Sequence, residues 1–373
     1  MRLVIFIILI CFANIFPQKS AGSFNTTATS LSDSINIGRL PPPVFDKEPV
    51  IIEKDSGVIL IKSDRTVLRF STIQPAIDSA DANSTIMIYP GNYTDSLTIS
   101  TENISIVGIS SKAVTISGAI YITASTGIIE NCRLTGNLSL TGHTVKALYY
   151  VKDCLLENNI NVGTATNPIV SNCYFIDCLL GSDGAWVPRT IYINVSATAG
   201  GAPDIFFHQC FSPIWSNSHN FYLTGGYANV HIEGDTKIAF NSITINGGAD
   251  ITHTPMLFFR GCNLAIISLT LTGFTEISCL NSEVTFFQTT TISNNCEFDM
   301  FNCKINGAVS LDIIFNSTLP TRWTHCTGTA GIGHIMGSHL EKLHIQYSFF
   351  QQTAAPVGLG SDDANTWGVW TDQ

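Results

Sequence analysis

The chain has 373 residues, only 12% of them charged, and 28 acidic against 18 basic side chains leave a net charge of −10. That charged fraction is about half the roughly 25% of an average soluble domain, and with no basic patch it argues against nucleic acid as a partner. A chain this long buries a large core, so one elongated body with short ends is expected.

Met1-Arg2 is followed by an apolar stretch, Leu3 to Phe16, and by small residues at Ser20-Ala21-Gly22. A positive start, an apolar segment of this length and small residues after it form a secretory signal pattern over residues 1–22. The alternative is an apolar segment retained in the mature protein. The stretch is short of the roughly 20 residues a spanning helix needs, and no later run approaches that length, so no stable membrane span is expected after the N-terminus.

Residues 23–68 read as an arm or linker. Ser, Thr and Asn dominate to Asn36, Pro41-Pro42-Pro43 gives a stiff turn, and Val50-Ile51-Ile52 and Val58-Ile59-Leu60-Ile61 are short strands. Such an arm would tether the body to something else, or be an ordinary first rung.

The body, residues 69–350, opens with a helix. Ile73, Ala76, Ile77 and Ala80 fall at i, i+3, i+4 and i+7, the stripe of an amphipathic helix. Ser71 or Thr72 suits its N-cap, and Pro75 is tolerable in a first turn whose N–H groups have no helical partner. Thr85 to Tyr89 has the character of a buried strand, closed by a turn at Pro90-Gly91-Asn92. A helix laid across the first coil of a stack would cover the core and block edge-to-edge association.

The segment Thr72–Ile99, with its TIQPAI helix followed by Gly91-Asn92-Tyr93-Thr94-Asp95, resembles the opening of the pectin-lyase-like superfamily, particularly its pectin methylesterase-like branch. There a TIQxAI helix precedes a GxYxE element, and Asp95 stands here where that element has Glu. The resemblance covers about forty residues and implies an all-β, right-handed, single-stranded parallel β-helix with a short N-terminal capping helix. It also implies an Asp nucleophile, a second Asp as acid/base, a Gln pair and an Arg, carried by motifs like QAVAL, DFIFG and LGRPW. None of these strings occurs; the nearest echo is Tyr174-Phe175-Ile176-Asp177-Cys178. The calcium-binding lyase pattern RxPxxR is also missing, since Pro188-Arg189 lacks its flanking Arg, and of the polygalacturonase elements only Asp362-Asp363 is present, in the tail.

From Ser96 onward short apolar strands succeed one another with small residues or Asn at most breaks, and no helical period intervenes, which disfavours a βαβ fold. A polar or small residue followed by Cys recurs: Asn131-Cys132, Asp153-Cys154, Gln209-Cys210, Gly261-Cys262, Asn302-Cys303 and His325-Cys326 among others. Intervals of about 20 residues are a solenoid signature. The 11 cysteines allow disulfides, but one per coil suits a ladder of buried thiols, because free Cys packs as a small hydrophobe. No C-x2-C pair points to a metal. Seven N-x-S/T triplets, from Asn25 to Asn316, are a consequence of composition or acceptors for glycosylation.

Leu180 to Pro213 interrupts the strand train. Its Asp183, Arg189, Asp204 and His208 are the type set for acid/base work on a carbohydrate, with Trp186 to stack on a sugar. The same residues also suit a loop excursion in which Asp makes turns and Arg pairs with one of them. His231, His253 and His344 lie in strand patterns and read as structural. Gly337 to Phe350 reads as a last rung, and Gln351 to Gln373, with Trp367 and Trp370, as a terminal cap or a partner contact.

The expectation is a non-enzymatic structural or surface-recognition protein, a virion or phage appendage or an adhesin-like glycan binder, secreted or on a virion surface. The competing expectation is a polysaccharide-active esterase, lyase or hydrolase using the Asp183–His208 region. No cofactor is implied; the expected partners are a glycan, other structural proteins or two further copies in a homotrimer.

Overall fold

The computed structural model describes residues 57–141, 147–163, 171–181, 191–196, 204–212, 219–224, 228–247, 254–293, 295–307, 311–328, 332–350, 361–363 and 366–367. They build a parallel β-helix. One coil shows the plan: Ile104–Gly108 runs in the first sheet, Val114–Ile116 in the second and Ile120–Ile122 in the third, before Thr126–Glu130 returns to the first sheet beside Ile104–Gly108. Stacking such coils produces a 15-stranded first sheet and a 13-stranded sheet on another face.

Alternation within the strands decides what is inside. Ile104–Gly108 reads buried at every second position, the period-2 pattern of a strand packed on one face. In-register pairing then stacks like on like. The column Ile106, Ile129, Val151, Phe175, Phe207, Ile232 continues through Phe259 and Cys279 to Met300, Trp323 and Ile345, all buried. Phe175 and Phe207 stack within it at 4.8 Å. Trp323 fits because its Nε1–H donates to the Phe298 carbonyl at 2.9 Å, which removes the cost of a buried unpaired donor.

The N-terminal end departs from expectation in an instructive way. The helix spans Ile73–Asp78 and buries Ile73, Ala76 and Ile77, as its stripe predicts. It covers the edge strand of the third sheet through Gln74 but not the edge of the first. That edge, strand Thr85–Ile88, is paired antiparallel by Val58–Ile61, which pairs antiparallel in turn with Val67–Phe70. A strand edge exposes backbone N–H and C=O groups, and another strand satisfies them where a helix, whose backbone groups are internally bonded, does not.

The two motif residues at this end are structural. The side-chain amide of Gln74 imitates a strand: its Oε1 accepts from Thr98 N at 2.7 Å and its Nε2 donates to Thr98 O at 3.2 Å. The Tyr93 hydroxyl donates to the Gly57 and Tyr89 carbonyls at 2.8 and 3.0 Å. Gly91–Tyr93 is itself a strand of the second sheet, paired with Val114–Ile116, so Pro90-Gly91-Asn92 does not close a hairpin but turns the chain onto the next face.

The corner between the first and second sheets repeats a local device. A residue with left-handed backbone, φ between 51° and 57° at Asn131, Asp153, Asp177 and Gln209, is followed by a small side chain with one polar hydrogen. Asn and Asp tolerate this region better than most residues. The next residue is Cys132, Cys154, Cys178 or Cys210 in these coils, and Thr236, Ser282 or Ser348 in others. Thiol and hydroxyl do the same work there. Cys178 and Cys303 donate to the carbonyl two residues back, that of Ile176 at 3.4 Å and Phe301 at 3.3 Å. Ser282 and Ser348 do so to Leu280 and Gln346, both at 2.9 Å. All ten described cysteines are free and buried, as a thiol ladder requires.

Past Leu179–Leu180 the second sheet narrows to the single residue Phe211, bridged in parallel to Leu179 and to Lys237. Beyond it, Lys237–Asn246 and Asn263–Thr272 run as strands of 10 residues, and three short strands, Thr290–Ile292, Leu311–Phe315 and Ile332–Met336, later form a sheet of their own. The stack continues past Phe350: Ser361–Asp363 pairs with His344–Gln346, and Thr366–Trp367 with Phe349–Phe350. Asp362-Asp363 therefore sits on a coil.

Candidate functional site

The outward face of the first sheet gathers most of the chemistry. On Asp204–His208 the alternation puts Asp204, Phe206 and His208 outward and buries Ile205 and Phe207. The next coil, Asn229–Glu233, places Asn229, His231 and Glu233 directly beside them. Asn229 Nδ2 donates to Asp204 Oδ1 at 2.9 Å, and His231 Nε2 lies 3.9 Å from the same oxygen. On the other side of Phe206, His208 Nδ1 lies 3.6 Å from Glu233 Oε1, an ion-pair separation.

Electrostatics separates the two imidazoles. Glu233, with Asp177 and Asp235 further off, raises the His208 pKa above its ordinary value despite partial burial. His231 goes the other way, because burial disfavours its charged form more than Asp204 favours it. Glu233 is held below the usual carboxylate range, first by His208.

Between these pairs runs a column of rings: Tyr150, Tyr174, Phe206, His231 and Phe258 are register partners on successive strands. Their centroids are 5.2, 4.5, 4.4 and 4.7 Å apart and their planes are within 20° of parallel. The Arg260 guanidinium sits 5.2 Å from the Phe258 centroid. A sugar stacks on the face of an aromatic ring, and here the inner rings give both faces to each other, leaving their edges to solvent. The column braces the sheet.

On the coil next to that of Phe258, Glu276 is the register neighbour of Glu297, and Asp299 follows on the strand of Glu297. Burial pushes the Glu297 carboxyl up to about 7, with Asp299 and Glu276 adding repulsion. Arg322 contributes its backbone N–H, which donates to Asp299 Oδ1 at 2.7 Å.

One nucleophile–base pair also exists. Ser212 Oγ lies 3.0 Å from Nε2 of the fully buried His219. The ring's Nδ1 accepts the Ile191 N–H at 3.4 Å, so Nε2 carries the proton and donates to Ser212. Burial holds this imidazole neutral, its pKa down to about 4. Without a lone pair facing the serine it is no general base, and the pair is structural. Among the described residues no three His, Cys, Asp or Glu converge to hold a metal ion.

Of the residues the sequence singled out, the structure brings Asp204 and His208 onto one outward face, four positions apart and divided by Phe206. Asp183, Trp186 and Arg189 lie outside the described residues, as does His253. Sequence reasoning missed Glu233, the Glu276–Glu297–Asp299 group and the ring column. A signal was present in the alternation of D-x-F-x-H at 204–208 and N-x-H-x-E at 229–233, two outward faces of one repeat.

No family model, curated protein or solved structure matches this chain.

Proposed function

We propose that this protein is a non-enzymatic β-helical scaffold, structural or surface-recognising, of the kind used in virion appendages and adhesins. The observation that carries this reading is the outward face of the first sheet around Asp204–His208, where the rings and the two carboxylates engage one another. Its ring column consumes its own π faces, and Asp204 and Glu233 are engaged by Asn229 and His208. A catalytic groove needs groups held ready for a substrate; these are held by each other. Membership of the pectin-lyase-like superfamily is the finer assignment, supported by the places of Gln74 and Tyr93 in the N-terminal end. Action outside the cell or on a virion surface, and assembly as a trimer, are part of the same proposal; a monomeric mass by light scattering rejects the trimer.

The test is incubation with a panel of pectins and other glycans, read by reducing ends and released methanol. No turnover is expected. Turnover that disappears in Asp204→Ala overturns the reading.

A second reading, a polysaccharide-active enzyme, is favoured by one observation: burial raises the Glu297 carboxyl to about 7 beside two further carboxylates, and a raised carboxylic acid next to a carboxylate is how an acid is assigned in glycoside hydrolysis. Turnover that is lost in Glu297→Gln and persists in Asp204→Ala selects this site.

A further inference from the structure

The third sheet differs from the rest of the surface in what it shows to solvent. The first sheet presents Asp204, Glu233 and Arg260 outward, and the face beyond its corner presents Arg133, Lys237 and Glu283. Across eight strands of the third, from Leu97–Ile99 to residues 267–272, there is no Asp, Glu, Lys or Arg among the described residues. Its outer column runs in register from Thr98 through Tyr121, Asn161, Asn194 and Tyr222 to Thr270. In a chain of net charge −10, two copies can meet on this face without setting like charges against each other.

The residue types make the face complementary to itself. On a two-fold axis a patch meets its own copy, so a charged side chain there would face its own charge. Asn, Ser and Thr both donate and accept, and bond to their own kind; Asn194 Nδ2 donates to Asn161 Oδ1 at 2.8 Å. Tyrosine is enriched in protein interfaces, and Tyr121 and Tyr192 stand 50% and 43% exposed on this face.

A knob and a hole stand at matching distances. Tyr192–Ser196 is the middle strand of the face, and Tyr121 lies three strands before it. Three strands after it comes Asn263–Thr272. There the face opens into a groove of about 280 Å³ lined by Leu269, Thr270, Leu271, Thr289, Thr291 and Ser293. The groove exists because Thr290–Ile292 belongs to a separate sheet and does not continue the ladder. Two leucines with threonine hydroxyls around them suit the apolar ring and polar tip of a tyrosine. Knob and hole each lie about 14–17 Å from the middle strand. A two-fold axis there brings the Tyr121 of each copy to the groove of the other, at both ends at once.

The geometry points to a pair of copies joined face to face through the third sheet, with Tyr121 of each seated in the groove at Leu269–Leu271 of its partner. The face measures about 38 Å by 14 Å, or about 1,100 Å² over two copies, which clears the roughly 1,000 Å² expected of a specific interface. The pair is an alternative to the trimer named above, and mass separates the two. It rests on the structural side of the scaffold reading; glycan turnover overturns that reading and leaves the pair standing.

The experiment is light scattering on the full chain at about 100 μM, with the mass in denaturant as the monomer reference. Twice that mass is expected. Tyr121→Glu and Thr270→Arg each put a charge where knob meets groove, and each is expected to weaken pairing at least tenfold. The double variant sets opposite charges against each other across the axis and is expected to pair again. Both positions are exposed, so the unfolding temperature should not change in any of the three. A monomeric mass leaves the face to another occupant and overturns the pair, as does a trimeric one. A paired mass in both single variants, or a double variant that stays apart when both singles do, overturns it too.

Discussion

Nδ1 of His208 and Oε1 of Glu233 face each other at 3.6 Å on adjacent coils, and each shifts the other's titration. His208 binds its proton more tightly in the fold than in the unfolded chain, where the ordinary value is 6.5. Its contribution to stability is therefore complete below about pH 6.5 and is lost as pH rises through the folded value. Glu233 is depressed below its ordinary 4.5, so its contribution is present above that value and is lost as pH falls. The pair stabilises most between about pH 5 and 6.5. The unfolding temperature of His208→Gln should fall below that of the parent in this window, and the gap should narrow by pH 8 and by pH 3. A gap independent of pH would mean that the ring acts through packing alone.

Glu297 gives the opposite case for a carboxylate. Its folded pKa of about 7 lies above the ordinary 4.5, so the fold prefers the protonated form. Stability from this group is complete below pH 4.5 and declines as pH rises through 7. Glu297→Gln, fixed in a neutral form, should be more stable than the parent at pH 8 and about equal to it at pH 4. Denaturant midpoints at the two pH values measure it.

Corner and strand cysteines should answer differently to the same change. Cys178→Ser places a hydroxyl where Ser282 and Ser348 already donate to the carbonyl two residues back, so a cost below about 1 kcal/mol is expected. Cys279 lies in the interior column between Phe259 and Met300, and its thiol makes no hydrogen bond among the described residues. Cys279→Ser buries a hydroxyl without a partner and should cost about 1–3 kcal/mol. Urea titration of both variants compares them directly.

The thiols should resist reagents in the folded state. Burial pushes Cys132 and Cys296 up to about 12 and Cys262 up to about 11, and the thiolate is the reactive form. Cys303 is the exception in direction, its thiol lowered below the ordinary value by hydrogen bonding from Cys326. Mass spectrometry after iodoacetamide treatment should find Cys303 modified first under native conditions. All ten described cysteines should be modified in denaturant without reductant.

Gly108 shows how tightly successive coils are stacked. A Cβ on Gly108 would run into the Asn131 carbonyl and come within 2.9 Å of Cys132 Sγ. Gly108→Ala should therefore destabilise by about 1–3 kcal/mol, the usual cost of overpacking, read as a lowered denaturant midpoint.

What the sequence determined by itself was local and repetitive. The stripe Ile73, Ala76, Ile77 made a helix, the alternation in Ile104–Gly108 made a strand with one buried face, and a polar residue before Cys132, Cys154 or Cys303 marked the corner of a coil. Each of these follows from backbone preference and from the period of a few neighbouring side chains, so a short window contains the information. Tertiary structure alone decided what stands beside what. The connections between Tyr174 and Phe206 and between Phe258 and Ser278 differ in length, so no count along the chain predicts that Phe206 stacks on His231 or that His208 meets Glu233. Those contacts are set by hydrogen-bonded register between coils, and a shift of one residue would turn every one of these side chains into the core. The same register puts Gly261 in line with Asp235 and Asn281 on the corner.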